Sequence, residues 1–299
     1  MRPPGSPPAG PDWQVRVVPN KYPVLQPAAG SGEGQPTSDP RIGQPDDPPI
    51  GQPDDPPPLA ASQPACGVHE VIIESPRHAT RTTQLTSEEF QQVILAYRHR
   101  LRAARQLPGL AYGLIFKNVG PRAGATIEHL HSQLVAMPWV PPQVQQELSG
   151  AEAFYQAHRQ CVFCHLIQQE DHRRQRMVAS APQFVAFCPY ASFSPYETWI
   201  VPREHGAAFD EMSDDQATQL ARILRGVLDR MDHVLQEPAY NYLVHSAPFD
   251  ERSIHSYHWR VVVFPRITTL AGFEWATGCG INPIAPEKAA QQLKFDALL

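Results

Sequence analysis

The sequence predicts an α+β fold, a mainly antiparallel sheet with flanking helices, built as two tandem repeats. Three observations predict it. Short β-rich runs recur along the chain. Two amphipathic helices each open on a capping box, Thr86-Ser87-Glu88-Glu89 and Ser213-Asp214-Asp215-Gln216. The order strand, strand, helix, strand, strand occurs once in residues 13–150 and again in 151–299, which suits an antiparallel sheet better than alternating βαβ units.

In order, Val15 to Val18 is a β-rich run broken by a Pro-Asn-Lys turn, and Val68 to Glu74 is the next strand. Thr86 opens a helix with Phe90, Val93, Ile94, Tyr97 and Leu101 on one face. Tyr112 to Phe116 and His129 to Met137 are strands separated by a glycine-rich turn, and a linker is expected around Pro141 to Gly150. The second copy has strands at Phe184 to Cys188 and Glu197 to His205. Its helix runs through Leu220, Ile223, Leu224, Val227 and Leu228, followed by a strand from Tyr240 to Val244 and by His255 to Pro265, which parallels His129 to Pro138.

Two stretches lack the means to fold alone. Residues 1–12 are rich in proline and glycine and are expected to fray. Residues 26–65 hold a perfect tandem octapeptide, Ile42 to Pro49 repeated as Ile50 to Pro57, with too few apolar residues to bury a core. They read as a disordered insertion in a surface loop.

With 42% apolar residues among 299, the chain can build a substantial core, and its net charge of −5 gives no general drive toward nucleic acid. No run approaches the roughly 20 apolar residues of a membrane helix. The N-terminus has no secretory apolar segment either, so a cytoplasmic protein without a membrane partner is expected. The cysteines, Cys66, Cys161, Cys164, Cys188 and Cys279, are odd in number and include one C-x-x-C, which reads as reduced thiols and a metal site.

The chemistry concentrates in Glu128-His129-Leu130-His131-Ser132-Gln133, behind the turn Gly120 to Ala125. On a strand, His129, His131 and Gln133 share one face. A neutral imidazole is a competent nucleophile near pH 7, since its ordinary pKa is about 6.5. An amide can hydrogen-bond a phosphoryl oxygen as charge builds there. The small residues Gly120, Gly124 and Ala125 would let phosphates approach backbone N–H groups. From spacing alone, the commoner reading of H-x-H is a metal pair or a chance pair on a strand.

This stretch, with Phe116, Asn118 and Gly120 before it, resembles the active-site segment of the galactose-1-phosphate uridylyltransferase family in the histidine-triad (HIT) superfamily. Further matching segments are Val15 to Pro23, His69 to His78, Ala271 to Gly278, and Ile281-Asn282-Pro283. The resemblance implies two HIT-like repeats joined in one sheet, with only the first catalytic. It implies transfer of UMP from UDP-glucose to galactose-1-phosphate through a nucleotidyl-histidine on His131, assisted by Gln133. A related alternative is an ADP-sugar or dinucleoside polyphosphate phosphorylase using the same histidine. An alternative of another class is a zinc-stabilised binding protein with an inactive site. Partners would be a nucleotide sugar and a sugar-1-phosphate.

Carried over residue by residue, Asn118 and Thr126 would face the phosphates, and Val17, Asn20 and Lys21 the nucleoside. Phe273 and Glu274 would reach the opposite site of a homodimer. Zinc is the implied cofactor, held by Cys161, Cys164, His205 and His258. His78 and His129 are conditional ligands of a first site, because the C-x-x-C the family places near its start is absent from this sequence. His245 matches a histidine that binds a second metal in some members, but Val261 to Val263 replace its companions, so no such site is expected.

Overall fold

The computed structural model describes residues 12–26, 65–250 and 254–295, so the Pro-rich insertion and the terminal tail anticipated above lie almost entirely outside the described residues. Nine strands form one sheet: β1 (Arg16–Pro19), β2 (Val68–Ile73), β3 (Tyr112–Val119), β4 (His131–Met137), β5 (Met177–Ser180), β6 (Phe184–Phe187), β7 (Thr198–Pro202), β8 (Tyr240–His245) and β9 (Arg260–Pro265). Their spatial order is β1-β2-β4-β3-β8-β9-β7-β6-β5, and every pairing is antiparallel. The two halves meet at β3 and β8, where Asn118 stands opposite Asn241.

Helices α1 (Ser87–Arg105) and α4 (Asp214–Leu235) cover one face, and both open on the capping boxes read from the sequence. Phe90, Val93, Ile94, Tyr97 and Leu101 of α1 are buried, as are Leu220, Ile223, Leu224, Val227 and Leu228 of α4. Truncating one such residue, Phe90→Ala for example, costs about 3–5 kcal/mol. Gln91 of α1 donates to Thr218 of α4 at 2.7 Å, and Arg98 reaches Asp214 at 2.6 Å, so the helices are tied to each other as well as to the sheet.

The expected linker around Pro141 to Gly150 is instead part of a helix, α2 (Pro142–His158), followed by α3 (Val162–Arg173). Only Val144 and Ala151 of α2 are buried, so its apolar stripe is too thin to stand out from the Gln-rich sequence around it. Two short helices, α5 (Gly272–Thr277) and α6 (Pro286–Leu293), follow the sheet, and α5 buries none of its residues. No helix among the described residues is long and apolar enough to cross a membrane.

A polar knot lies beneath the sheet. Lys117 and Glu74 form an ion pair with both side chains fully buried, joined by Ser132, Tyr97 and Tyr242. Burial alone pushes the Lys117 amine down, and Glu74 opposes that shift. Because Ser132 follows His131 on β4, this knot braces the helix-facing side of the strand that carries the histidine.

Candidate active site

Alternation along β4 sends Ser132 and Leu134 toward the helices and leaves His131 and Gln133 partly exposed on the opposite face. Register extends that face sideways. Gln133 stands opposite Val71 and Phe116, so β2 contributes His69 and β3 contributes Asn118 to the same side.

Backbone groups fix the state of the histidines. The Nδ1 atom of His131 lies 2.8 Å from the carbonyl of His129, and a carbonyl can only accept. The neutral ring therefore carries its proton on Nδ1 and keeps a lone pair on Nε2. His129 Nε2 in turn donates to the carbonyl of Ser75 at 2.8 Å. The rings of His78 and His129 are 5.6 Å apart, but among the described residues no third cysteine, histidine or carboxylate completes a metal-sized group with them.

The turn before β4 does not use its amides as expected. Ala123 and Ala125 donate their N–H groups to the carbonyl of Gly120, and Gly124 donates to that of Pro121. Those three donors serve the turn itself. Gly120 and Gly124 both have φ above +80°, which only glycine adopts without strain.

Gln133 Oε1 lies 2.7 Å from His69 Nε2, and Asn118 Oδ1 accepts from Asn241 Nδ2 at 2.7 Å. Neither His69 nor Asn241 was singled out from the sequence alone; the signal that finds them is strand register. Asn20 joins the site, with Nδ2 at 3.4 Å from Gln133 Oε1. Lys21 is exposed, its amine 5.3 Å from the centre of the Tyr22 ring, and Thr126 is exposed in the turn. Val17 stands opposite the buried Ile72 and packs against the helix-side core, so its side chain turns away from this face. Glu274 accepts the Ala271 N–H at the start of α5, and Phe273 beside it is 54% exposed.

A second constellation stands in the other half. Cys161 caps α3, Cys164 lies in its first turn, His205 follows β7 and His258 precedes β9. Their ligand atoms all lie within 4.8 Å of one another, a group that could hold a metal ion. His205 Nε2 faces the carbonyl of Ile254 at 3.3 Å, which leaves Nδ1 facing Cys164 at 3.4 Å. Hydrogen bonding from Cys164, and then from His205 and His258, drives the Cys161 thiol far below its usual range; Cys164, beside that thiolate, is driven up. A dication held there would favour the thiolate form of both sulfurs. His255, three residues before His258, is exposed and outside the group.

Nearby, Arg260 makes a bidentate pair with Glu147 at 2.7 and 2.9 Å and lies against the rings of Phe163 and Trp199, its guanidinium carbon 4.8 and 4.5 Å from their centres. His245 Nδ1 lies 3.8 Å from the same carboxylate.

A family model described as "Domain of unknown function (DUF4921)" matches residues 59–296. An ADP-glucose phosphorylase from Arabidopsis thaliana is 30% identical over 289 residues, 95% of this chain and 75% of the relative. A galactose-1-phosphate uridylyltransferase from Thermotoga maritima is 28% identical over 236 residues, 76% of this chain and 74% of its own. The crystal structure of the Arabidopsis ADP-glucose phosphorylase with bound ADP-glucose superposes with a TM-score of 0.80 at 27% identity, covering 96% of this chain and 83% of that one.

Proposed function

The chain belongs to the DUF4921 family and to the family of galactose-1-phosphate uridylyltransferases and the ADP-glucose phosphorylase, and from that premise we propose that it transfers a nucleotidyl group through His131. The observation that carries this reading is the Nδ1 contact of His131 with a backbone carbonyl, which aims the Nε2 lone pair away from the strand.

The step balances without an added base. Nε2 attacks the α-phosphorus of the nucleotide sugar, the N–P bond forms, and the bridging P–O bond breaks. The electron pair leaves with the sugar-1-phosphate. The positive charge on the imidazolium is shared with Nδ1–H and met by the His129 carbonyl. A second phosphate then attacks the same phosphorus and regenerates the neutral ring. Transfer between two phosphates needs no group to activate water, which suits a site whose polar partners are amides and imidazoles.

The acceptor we propose is galactose-1-phosphate, with UDP-glucose as donor, which places the enzyme in galactose metabolism. One observation favours a second reading: the relative matched over 95% of this chain is a phosphorylase of ADP-glucose, so inorganic phosphate is the rival acceptor. Isotope exchange separates them. Labelled glucose-1-phosphate should enter UDP-glucose, or ADP-glucose in the second case, with no other acceptor present. Absence of exchange into either would count against a nucleotidyl-enzyme.

We further read the two halves as tandem HIT-like repeats, 13–150 catalytic and 151–299 carrying a structural Cys2His2 zinc site in which Cys161, Cys164, His205 and His258 would hold the ion. Zinc there supplies cross-linking only. Unpaired thiols at all five cysteines suit a cytoplasmic setting. The exposed Phe273 and Trp275 of α5 support a homodimer, with Phe273 and Glu274 directed at the partner's site.

A further inference from the structure

The geometry points to His69 and Asn241 as positioning residues that fix which end of two amide side chains meets the ligand. Both chains of hydrogen bonds end on backbone groups whose polarity is not in question. At one, the Val24 N–H donates to His69 Nδ1 at 3.0 Å, so this nitrogen carries no proton and the neutral ring must carry its proton on Nε2. Nε2–H then donates to Gln133 at 2.7 Å, and the atom it meets is the oxygen. Asn20 packs against this pair: its Oδ1 is taken by the Tyr22 N–H at 2.9 Å, and its Nδ2 lies 3.0 Å from His69 Nε2 and 3.4 Å from Gln133 Oε1, so with the proton on Nε2 both nitrogens converge as donors on the one Gln133 oxygen.

At the other, Asn241 Nδ2 donates to the carbonyl of Ala123 at 2.9 Å, so it also donates to Asn118 and meets Oδ1 there. With both oxygens engaged, the NH2 ends of Gln133 and Asn118 remain to serve a ligand. A Cβ built on Gly124 would lie 3.8 Å from Asn118 Nδ2, so that end points at the glycine turn. An amide free to rotate would present an acceptor half the time and repel a phosphate oxygen; these two are held as donors before the ligand arrives. They stand in for the turn N–H groups, which are spent internally. The ligand chemistry is the phosphate of a nucleotide.

This inference rests on reading the face as a nucleotide site, but it is tested by binding and not by turnover. Affinities of AMP and UMP would be measured by calorimetry against those of adenosine and uridine. His69→Leu and Asn241→Ala should each weaken the nucleotide about tenfold and leave the nucleoside within about twofold. His69→Gln, which keeps an N–H near the Nε2 position, should recover most of the loss. In a Gln133→Leu background, His69→Leu should add nothing. Equal losses for nucleotide and nucleoside, or additive losses in the double variant, would overturn the assignment. A wild-type protein that shows the discrimination but no nucleotidyl exchange would retire the transfer reading and leave this one standing; exchange with unmoved discrimination would do the reverse.

Discussion

β4 and β9 occupy matching places in the two halves of the sheet, yet they do opposite things. β4 opens with His131, and its face away from α1 and α4 carries partly exposed imidazole and amide groups. β9 opens with Arg260, and the same face is roofed by α2 and α3, which bring Glu147 and Phe163 down onto the guanidinium. One strand end therefore leaves an imidazole partly exposed, and the other is filled by the protein's own ion pair. The difference lies in what covers the strand, not in the strand's place in the fold.

Breaking each end should have distinct consequences. His131→Gly should cut formation of a covalent nucleotide adduct by about 10³-fold or more while thermal unfolding stays unchanged. Arg260→Met should leave the half-buried Glu147 without its ion-pair partner and cost about 1–3 kcal/mol in urea denaturation, and adding Glu147→Leu should recover much of it. An equally large loss of stability from His131→Gly would erase the contrast between the two ends.

Metal removal tests the same half of the molecule. If Cys161, Cys164, His205 and His258 hold zinc, raising free zinc to a thousand times its Kd should stabilise the fold by about 4 kcal/mol, and Cys164→Ser should abolish that response in differential scanning fluorimetry. Zinc should leave the adduct assay of the intact first half unaffected at temperatures well below unfolding.

The smallest effect is a proton. Burial, then the Arg260 charge, holds His245 down to about 3, so it stays neutral when folded and takes up a proton on unfolding below about pH 6.5. The unfolded chain binds more protons there, so stability rises with pH between about 3 and 6.5. Burial would raise Glu147, but Arg260 outweighs it and holds the carboxyl at about 2, so its contribution is lost only below about pH 4.5. Between pH 5 and 7 Glu147 drops out, but His99, held down by burial, and His205, held up by Cys161, also contribute, so the His245 share is the difference in denaturant midpoints between wild type and His245→Asn. His245→Asn should flatten a slope of up to about 1.4 kcal/mol per pH unit.

The sequence made the helix face of the sheet readable because α1 and α4 carry capping boxes and full apolar stripes. It made the proposed nucleophile readable because H-x-H-x-Q keeps its period on a strand. It hid α2, whose two buried residues give no pattern, and β5, a four-residue edge strand. It also hid His69 and Asn241, because their partners are 64 and 123 residues away and only register brings them together. Val17 was misdirected by the same gap: a single-residue alternation decides which face it serves.

The most direct test is the mass of the intact protein after brief exposure to UDP-glucose or ADP-glucose. The account requires a gain equal to one nucleoside monophosphate, acid-labile as a phosphoramidate is, and located by peptide mapping on His131. An unshifted mass with both sugar nucleotides, or an adduct on any other residue, would contradict it.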